Sequence, residues 1–88
     1  MIHMNRILWT LTATRQLRKL KDAALRQRIY RETQSLADFP HCQQVKKLVN
    51  AAHDYRLRVG DFRVFFSFDG AIKIIRIEEV KKRNERTY

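Results

Sequence analysis

The sequence predicts a single α+β domain in which a small antiparallel β-sheet, an early strand plus a three-stranded meander, carries an N-terminal helical hairpin on one face. Three observations predict it. The 88 residues suffice for one hydrophobic core but not for two, so residues 1–88 are expected to form one domain. Apolar residues recur at helical spacing in the first half of the chain, and they alternate with polar residues between tight turns in the second half.

The first half of the chain predicts a strand followed by helices. Residues 5–11 hold Ile7, Leu8, Trp9 and Leu11 and are short enough to form a strand. Thr12 then offers a hydroxyl that can cap a following helix. Two apolar stripes at helical spacing come next, one of Ala13, Leu17 and Leu20 and one of Leu25, Ile29 and Leu36. Asp22 can cap a second helix, which gives a helical hairpin; one continuous helix is the alternative, because neither Gly nor Pro interrupts the run. Pro40 ends the helical region.

The second half predicts three strands after a less regular stretch at residues 41–52. Residues 55–59 alternate apolar and basic side chains, and Gly60-Asp61 turns the chain because Gly tolerates positive φ. Residues 62–68 are aromatic and β-branched, and Asp69-Gly70 predicts a two-residue hairpin turn. Residues 71–78 are almost wholly apolar, which predicts a strand covered on both faces. The basic tail at residues 80–88 is expected to form a short helix.

The charge of the chain predicts a polyanionic partner. Nineteen Lys and Arg stand against 9 Asp and Glu, which gives a net charge of +10. Because 44% of the residues are hydrophobic, the chain is not a disordered basic tail. Nucleic acid is therefore the first partner to consider, with an acidic protein or an anionic membrane surface as competitors.

The sequence also indicates a compartment. The one cysteine, Cys42, allows no intrachain disulfide, fits a reducing environment and is expected to be a buried or half-buried residue, not a nucleophile. Residues 1–6 lack the features of a signal peptide, and no apolar stretch approaches the roughly 18 residues of a membrane span. A cytoplasmic location with no membrane partner is expected.

Arginines at a spacing of two predict an anion site. Arg56 and Arg58 project from one face of their strand, away from its apolar residues, and Arg63 lies on the neighbouring strand just across the turn. Three guanidinium groups form a good phosphate clamp, because each offers a planar fork of donors. The alternative is a solvated outer face whose arginines pair with nearby carboxylates, namely Asp54, Asp61 or Asp69.

Two further basic segments are candidates for RNA binding. The tail interleaves an aromatic residue with cations, which suits a nucleobase stacked on a ring while its phosphate is held; it contains Lys81, Lys82, Arg83, Arg86 and Tyr88. A frayed basic end is the alternative. Lys46 and Lys47 form a third basic pair that can line the same groove.

Other chemistries find little support in the sequence. The three histidines are scattered and there is one cysteine, so no zinc cluster is expected, and there is no phosphate-binding or dinucleotide-binding glycine motif. Glu78 and Glu79 are adjacent, so in a regular strand they point to opposite faces and cannot form an acid–base pair. His53 lies close to the arginine strand and is a possible base, although a solvated or capping histidine is commoner. Neither a metal nor a small-molecule cofactor is expected.

Residues 55–66, YRLRVGDFRVFF, closely resemble the central hairpin of RelE-type toxins from bacterial toxin–antitoxin pairs. Residues 12–20 look like the start of the family's first helix. Residues 45–48, VKKL, look like the lysine–leucine segment before its second strand, and residues 80–88 look like its basic tail ending in tyrosine. The resemblance implies a RelE-like fold and cleavage of mRNA in the ribosomal A site by attack of the RNA's own 2′-hydroxyl on the adjacent phosphate, without a metal. It also implies a cognate antitoxin whose toxin-binding segment wraps around the domain.

The resemblance assigns roles by position. Arg63 matches the hairpin arginine that binds the scissile phosphate, and Arg56 and Arg58 stand where well-studied members have lysines. Lys82 or Arg83 matches a late-strand arginine. Tyr88 matches the terminal tyrosine, which in the family stacks on a base or assists proton transfer.

The arginines at two lysine positions change the expected proton chemistry. Because the pKa of arginine is above about 12, it is a poor base, and the usual lysine base is expected to be lost. Tyr88 is the first replacement considered, since nearby cations lower the pKa of a tyrosine, followed by Lys81, Lys82 and His53.

Two other functions compete with RNA cleavage. A ParE-type toxin shares the fold but inhibits DNA gyrase by binding it, and such toxins tend to lack the full set of groove cations and the terminal tyrosine. The other is a catalytically degenerate basic module that only binds RNA or an acidic protein. The sequence favours RNA cleavage because it has candidates for both features.

Overall fold

A computed structural model describes residues 4–83 of the protein. Its elements are β1 (Arg6–Trp9), α1 (Leu11–Arg18), α2 (Ala23–Gln34), a 3₁₀ turn (Ser35–Asp38), β2 (Val45–Lys47), β3 (Tyr55–Val59), β4 (Phe62–Asp69) and β5 (Ile74–Lys82). The predicted α+β class with an N-terminal helical hairpin is confirmed. Neither α-helix of this described part is long and apolar enough to cross a membrane.

The five strands form one mixed sheet in the order β1-β5-β4-β3-β2. The meander β3-β4-β5 is antiparallel as predicted, but β1 pairs with β5 in parallel. The helical hairpin explains this difference, because it carries the chain from β1 across the sheet to the far edge before the meander begins. The second difference is β2, a three-residue strand that pairs with β3 inside the stretch predicted as irregular. Such a short edge strand leaves too little alternation to be recognised in the sequence.

Side-chain caps divide the helical region into two helices. Thr10, not Thr12, caps α1: its hydroxyl oxygen accepts from the Ala13 amide at 3.1 Å and donates to the Ile77 carbonyl at 2.8 Å. Thr12 lies inside the first turn of α1. Asp22 caps α2 as predicted, with its carboxylate 3.1 Å from the Leu25 amide, so the helical hairpin is confirmed over the single long helix.

The hydrophobic core lies between the helices and one face of the sheet. The fully or nearly fully buried apolar side chains come from both layers and are Ala13, Ile29, Leu36, Leu57, Val59, Val64, Phe66, Ile75, Ile77 and Val80. Phe39 covers one end of this core, with its ring edge-on to Tyr55, Phe66 and Phe68 at centroid distances of 4.9 to 5.6 Å. Because the helices cover one face, the other face of the sheet is available for a functional site.

The β4–β5 connection and the course of β5 differ from the prediction. β4 continues through Asp69, whose carboxylate accepts from the Ala71 amide at 3.0 Å, and the turn extends to Lys73, which has a φ of 55°. β5 is buried on one face only, since Arg76 is exposed. It then runs to Lys82 through the segment predicted as a short helix, because pairing with β4 reaches Phe62 and satisfies the backbone there.

We expect Gly60→Ala to destabilise the β3–β4 turn. Gly60 has a φ of 56°, and an added Cβ would lie 3.3 Å from Nη1 of Arg28, a side chain that reaches the turn from α2. The left-handed conformation costs a non-glycine residue about 1–2 kcal/mol, so the free energy of unfolding should fall by at least about 1 kcal/mol in urea denaturation. A variant as stable as the wild type would mean that the turn has another conformation open to it.

Candidate nucleic-acid interface

Basic side chains from four strands share the sheet face opposite the core. Strand alternation turns Arg56 and Arg58 to this face, since Leu57 and Val59 are buried in the core. The register pairs Lys46 with Arg56, Arg58 with Arg63, and Arg63 with Lys81. Directly opposed residues have their Cβ atoms about 4.5–5.5 Å apart, so these five side chains form a continuous surface, here called the cationic face.

Arg63 stands at the middle of the cationic face. Its side chain is half-buried, and Nη1 is buried without a hydrogen-bond partner among the described residues. Within residues 4–83, no ion pair joins Arg58 or Arg63 to Asp54, Asp61 or Asp69, so the predicted alternative of a paired outer face does not hold for these two arginines. An unpaired guanidinium N–H among neighbouring cations favours an anionic ligand.

The other predicted site residues lie elsewhere. Lys47 and Lys82 are exposed, but their register partners Tyr55 and Phe62 turn toward the helix side, so both lysines lie outside the cationic face. Arg83 follows β5, and its amide donates to the Asp61 carbonyl at 2.6 Å. Arg86 and Tyr88 lie outside the described residues.

A histidine held by two carboxylates adjoins the cationic face. Nδ1 of His53 lies 2.7 Å from Oε1 of Glu78, and Nε2 lies 2.7 Å from Oε2 of Glu79. The His53 side chain is 18% exposed, and its ring lies over Phe65 with a centroid distance of 5.2 Å. These three residues are here called the histidine cluster. The sequence indicated His53 as a possible base, but it did not predict the contacts of His53 with Glu78 and Glu79.

A β-bulge brings the two glutamates together. The register between β4 and β5 shifts at Phe65 and Phe66, which oppose Glu79 and Ile77, so Glu78 is the extra residue. Ile77 and Val80 both face the core, which places both intervening glutamates on the opposite side. The expectation that Glu78 and Glu79 point to opposite faces was therefore wrong. The sequence contained a sign of this bulge. In a regular strand, residues that face the core are separated by an even number of positions, but Ile77 and Val80 are three positions apart.

Further polar contacts hold the histidine cluster in place. Ser67 donates to Oε2 of Glu78 at 3.2 Å. Gln16 donates to Oε1 of Glu79 at 3.3 Å and accepts from the Val80 amide at 2.6 Å. Val80 lies past the last residue of β5 that pairs with β1, which is Ile77. Nζ of Lys81 lies 3.4 Å from the same oxygen of Glu79. The cluster therefore connects α1, β4, β5 and the β2–β3 loop.

The contacts shift two pKa values in opposite directions. Burial disfavours the charged form of His53, but the hydrogen bonds to Glu79 and Glu78 outweigh it and raise the pKa of His53 above its ordinary value of 6.5. The hydrogen bond from His53, aided by Gln16 and Lys81, lowers the pKa of Glu79 below its ordinary 4.5 despite partial burial. Both shifts favour the ion pair between the His53 imidazolium and the Glu79 carboxylate.

These shifts predict a pH-dependent contribution to stability. A raised histidine pKa stabilises the fold fully below pH 6.5, and this contribution is lost as pH rises through the folded-state value; the Glu79 contribution is lost as pH falls below 4.5. In urea denaturation, His53→Gln should therefore cost more stability at about pH 6 than at about pH 9. His41→Gln provides the control, because it removes an exposed imidazole that lies outside the histidine cluster. An equal loss at both pH values for His53→Gln would contradict the charged cluster.

Cys42 has the burial that the sequence predicted. Cys42 is half-buried as expected, its thiol donates to the Ser35 carbonyl at 3.3 Å, and burial together with Asp38 raises its pKa, which disfavours the nucleophilic thiolate. Among residues 4–83, no group of three or more His, Cys, Asp or Glu side chains is arranged to hold a metal ion.

A family model and several solved structures are similar to this chain. Residues 7–86 match the family model described as the ParE toxin of type II toxin–antitoxin systems. Among solved structures, the RelBE2 toxin–antitoxin complex of Mycobacterium tuberculosis is similar at 23% identity and a TM-score of 0.79, over 91% of this chain and 99% of that chain. The RelE–RelB complex of Pyrococcus horikoshii is similar at 28% identity and a TM-score of 0.77, over 93% and 98%.

A free RelE toxin also resembles the chain. An Escherichia coli RelE variant with two arginines replaced by alanine shares 14% identity at a TM-score of 0.73, over 96% of this chain and 87% of that chain. At that identity the likeness shows the fold alone. No curated protein matches the sequence.

Proposed function

Because the chain belongs to the RelE/ParE superfamily of toxins from type II toxin–antitoxin systems, we propose that it is an endoribonuclease that cleaves mRNA in the ribosomal A site. The observation that carries this proposal is the cationic face, with Nη1 of Arg63 buried at its middle and without a hydrogen-bond partner within residues 4–83. A ribosomal target also implies a cytoplasmic location.

In the proposed reaction the RNA supplies its own nucleophile. The 2′-hydroxyl loses its proton and its oxygen bonds to the adjacent phosphorus, while the bond from phosphorus to the 5′-oxygen breaks. The crowded phosphate gains negative charge in the transition state, so cations fixed beforehand around it lower the barrier. Arg63 is the proposed scissile-phosphate ligand, and Arg56, Arg58 and Lys81 hold the phosphates around it.

The remaining basic residues have proposed supporting roles in RNA binding. Lys46 extends the cationic face along β2, and Lys47, Lys82, Arg83 and Arg86 contribute to the binding of the RNA backbone, which is largely electrostatic. The proposal requires neither a metal nor a cofactor, because phosphate charge is met by arginine and the nucleophile comes from the substrate.

Tyr88 is the proposed acceptor of the 2′-hydroxyl proton. The change to test is Tyr88→Phe, which removes the titrating oxygen but keeps the ring for stacking. Cleavage should fall at least about tenfold while RNA binding stays nearly unchanged. Single-turnover cleavage and equilibrium binding measure the two quantities, and an unchanged cleavage rate would remove Tyr88 as a proton carrier.

A cognate antitoxin is the proposed protein partner. The similar structures from Mycobacterium tuberculosis and Pyrococcus horikoshii are complexes of a toxin with its antitoxin. An acidic antitoxin segment would complement the net charge of +10, and wrapping around the domain would cover the cationic face.

Inhibition of DNA gyrase is the second candidate function, because the matching family model is described as a ParE toxin. Ribosomes carrying a defined mRNA and a gyrase supercoiling reaction, each incubated with the purified protein, separate the two. We expect primer extension to detect new mRNA ends while supercoiling continues. Loss of supercoiling with intact mRNA would favour gyrase inhibition, and intact mRNA with normal supercoiling would favour a module that only binds.

A further inference from the structure

The histidine cluster lies beside Arg63 on the same face of the sheet. Phe65 follows Arg63 by two residues on β4, so both side chains leave the same face about 7 Å apart. The ring of His53 lies over Phe65, and Glu79 and Lys81 are the cross-strand partners of Phe65 and Arg63. An RNA phosphate on Arg63 would therefore have one of its ester oxygens on the side of His53.

We propose that His53 is the general acid of the reaction, donating the Nε2 proton to the 5′-oxygen as its bond to phosphorus breaks. This inference rests on the proposed RNA cleavage and adds the group that such cleavage needs on the leaving side. The proton taken from the 2′-hydroxyl by the base and the proton given by His53 keep the step balanced. Neutral His53 then regains a proton from water.

The geometry identifies His53 as an acid and not as a base. Both ring nitrogens lie 2.7 Å from carboxylate oxygens. An ionised carboxylate can only accept, so both nitrogens carry protons when both glutamates are ionised. An imidazolium has no lone pair with which to accept the 2′-hydroxyl proton. It is instead a strong donor for an oxygen that develops negative charge.

The two glutamates have different tasks. Glu79 has other partners in Gln16 and Lys81, so Nε2 can turn from it to a substrate oxygen without leaving that carboxylate unpaired. Glu78 keeps its bond to Nδ1 and is itself held by Ser67, so it orients the ring and stabilises its charge. Glu78 is thus a positioning residue.

The charges around His53 suit this role. Two carboxylates on β5 face the ring, and they are offset by the imidazolium itself and by Lys81, which lies 3.4 Å from Glu79. Arg63 on β4 and Arg56 on β3 belong to the cationic face next to it. Together with Lys81 the cluster is therefore close to neutral, and its two carboxylates favour the protonated form of His53 beside a surface that attracts phosphates.

A substrate with sulfur in place of the 5′-oxygen tests the proposal. A thiolate leaves without protonation, so it needs no general acid. His53→Gln should cut the ordinary mRNA at least about 100-fold more slowly than wild type, yet cut the sulfur-containing mRNA within about threefold of the wild-type rate. His41→Gln is the matched control and should cut both RNAs at the wild-type rates.

The other outcomes overturn the proposal. Equal loss on both substrates would mean that His53 only supports the structure. If His53→Gln fails to fold, the pH dependence of the wild type decides: cleavage of the oxygen substrate should decline as pH rises through the pKa of His53, while cleavage of the sulfur substrate should show no such decline. The same decline on both would exclude the acid. A wild-type protein that cuts neither RNA would instead refute the proposed function itself.

Discussion

Arg63→Ala is expected to reduce mRNA cleavage at least about 100-fold, because it removes the central charge of the proposed phosphate site. Nη1 of Arg63 is buried with no partner among the described residues, and Arg58 and Lys81 flank it across the sheet. This arrangement supports the proposal that the guanidinium binds a phosphate of the RNA. Single-turnover cleavage of ribosome-bound mRNA measures the effect.

Two control variants separate this role from the net charge of the protein and from a positive charge alone at position 63. Arg31→Ala removes the same charge from the exposed surface of α2, and it should keep nearly full activity. Arg63→Lys keeps the charge but loses the planar fork of donors, so its activity should fall between those of wild type and Arg63→Ala. Equal activities of Arg63→Ala and Arg31→Ala would mean that the phosphate binds elsewhere.

Phe66→Ala is expected to lower the free energy of unfolding by about 3–5 kcal/mol. Phe66 is fully buried, stacks on Tyr55 at 5.4 Å and meets Phe39 edge-on at 5.6 Å. Its truncation leaves a cavity between the sheet and the segment after α2. The free energy of unfolding of small domains is only about 5–15 kcal/mol in total, so this loss can leave a measurable fraction of the variant unfolded.

Urea denaturation of Phe66→Ala measures this loss, with Ile72→Ala as the control. Ile72 lies in the β4–β5 turn with 62% of its surface exposed, so its removal should change stability by less than about 0.5 kcal/mol. A similar small effect for both variants would contradict the described core. Phe66→Ala should lose activity only as far as it unfolds, in contrast to Arg63→Ala.

Local patterns in the sequence predicted the parts of the fold that local physics determines. The Asp22 cap, the alternation around Arg56 and Arg58 and the turn at Gly60 each depend on residues a few positions apart, and the structure has all three. The pairing of β1 with β5 could not be predicted in this way. It joins residues almost 70 positions apart, such as Arg6 and Ile74, and depends on where the helical hairpin delivers the chain.

In the candidate site, too, the sequence predicted the local contacts but not the contacts between distant residues. Arg58 and Arg63 could be placed together because a short turn fixes their register. The histidine cluster could not, since it requires the β2–β3 loop to reach across the sheet and β5 to bulge at Glu78. The three-residue step from Ile77 to Val80 marks the bulge, but only the register with β4 shows which carboxylates meet His53.

The ends left on the mRNA test the central claim most directly. Ribosomes carrying a synthetic mRNA in the A site are incubated with the protein, and the products are compared with those from an mRNA that lacks one 2′-hydroxyl at the scissile nucleotide. Attack by the 2′-hydroxyl predicts a 2′,3′-cyclic phosphate and a 5′-hydroxyl on the cut RNA, and no cut at the 2′-deoxy position. Cleavage of the 2′-deoxy mRNA with a 5′-phosphate on the product would contradict this account.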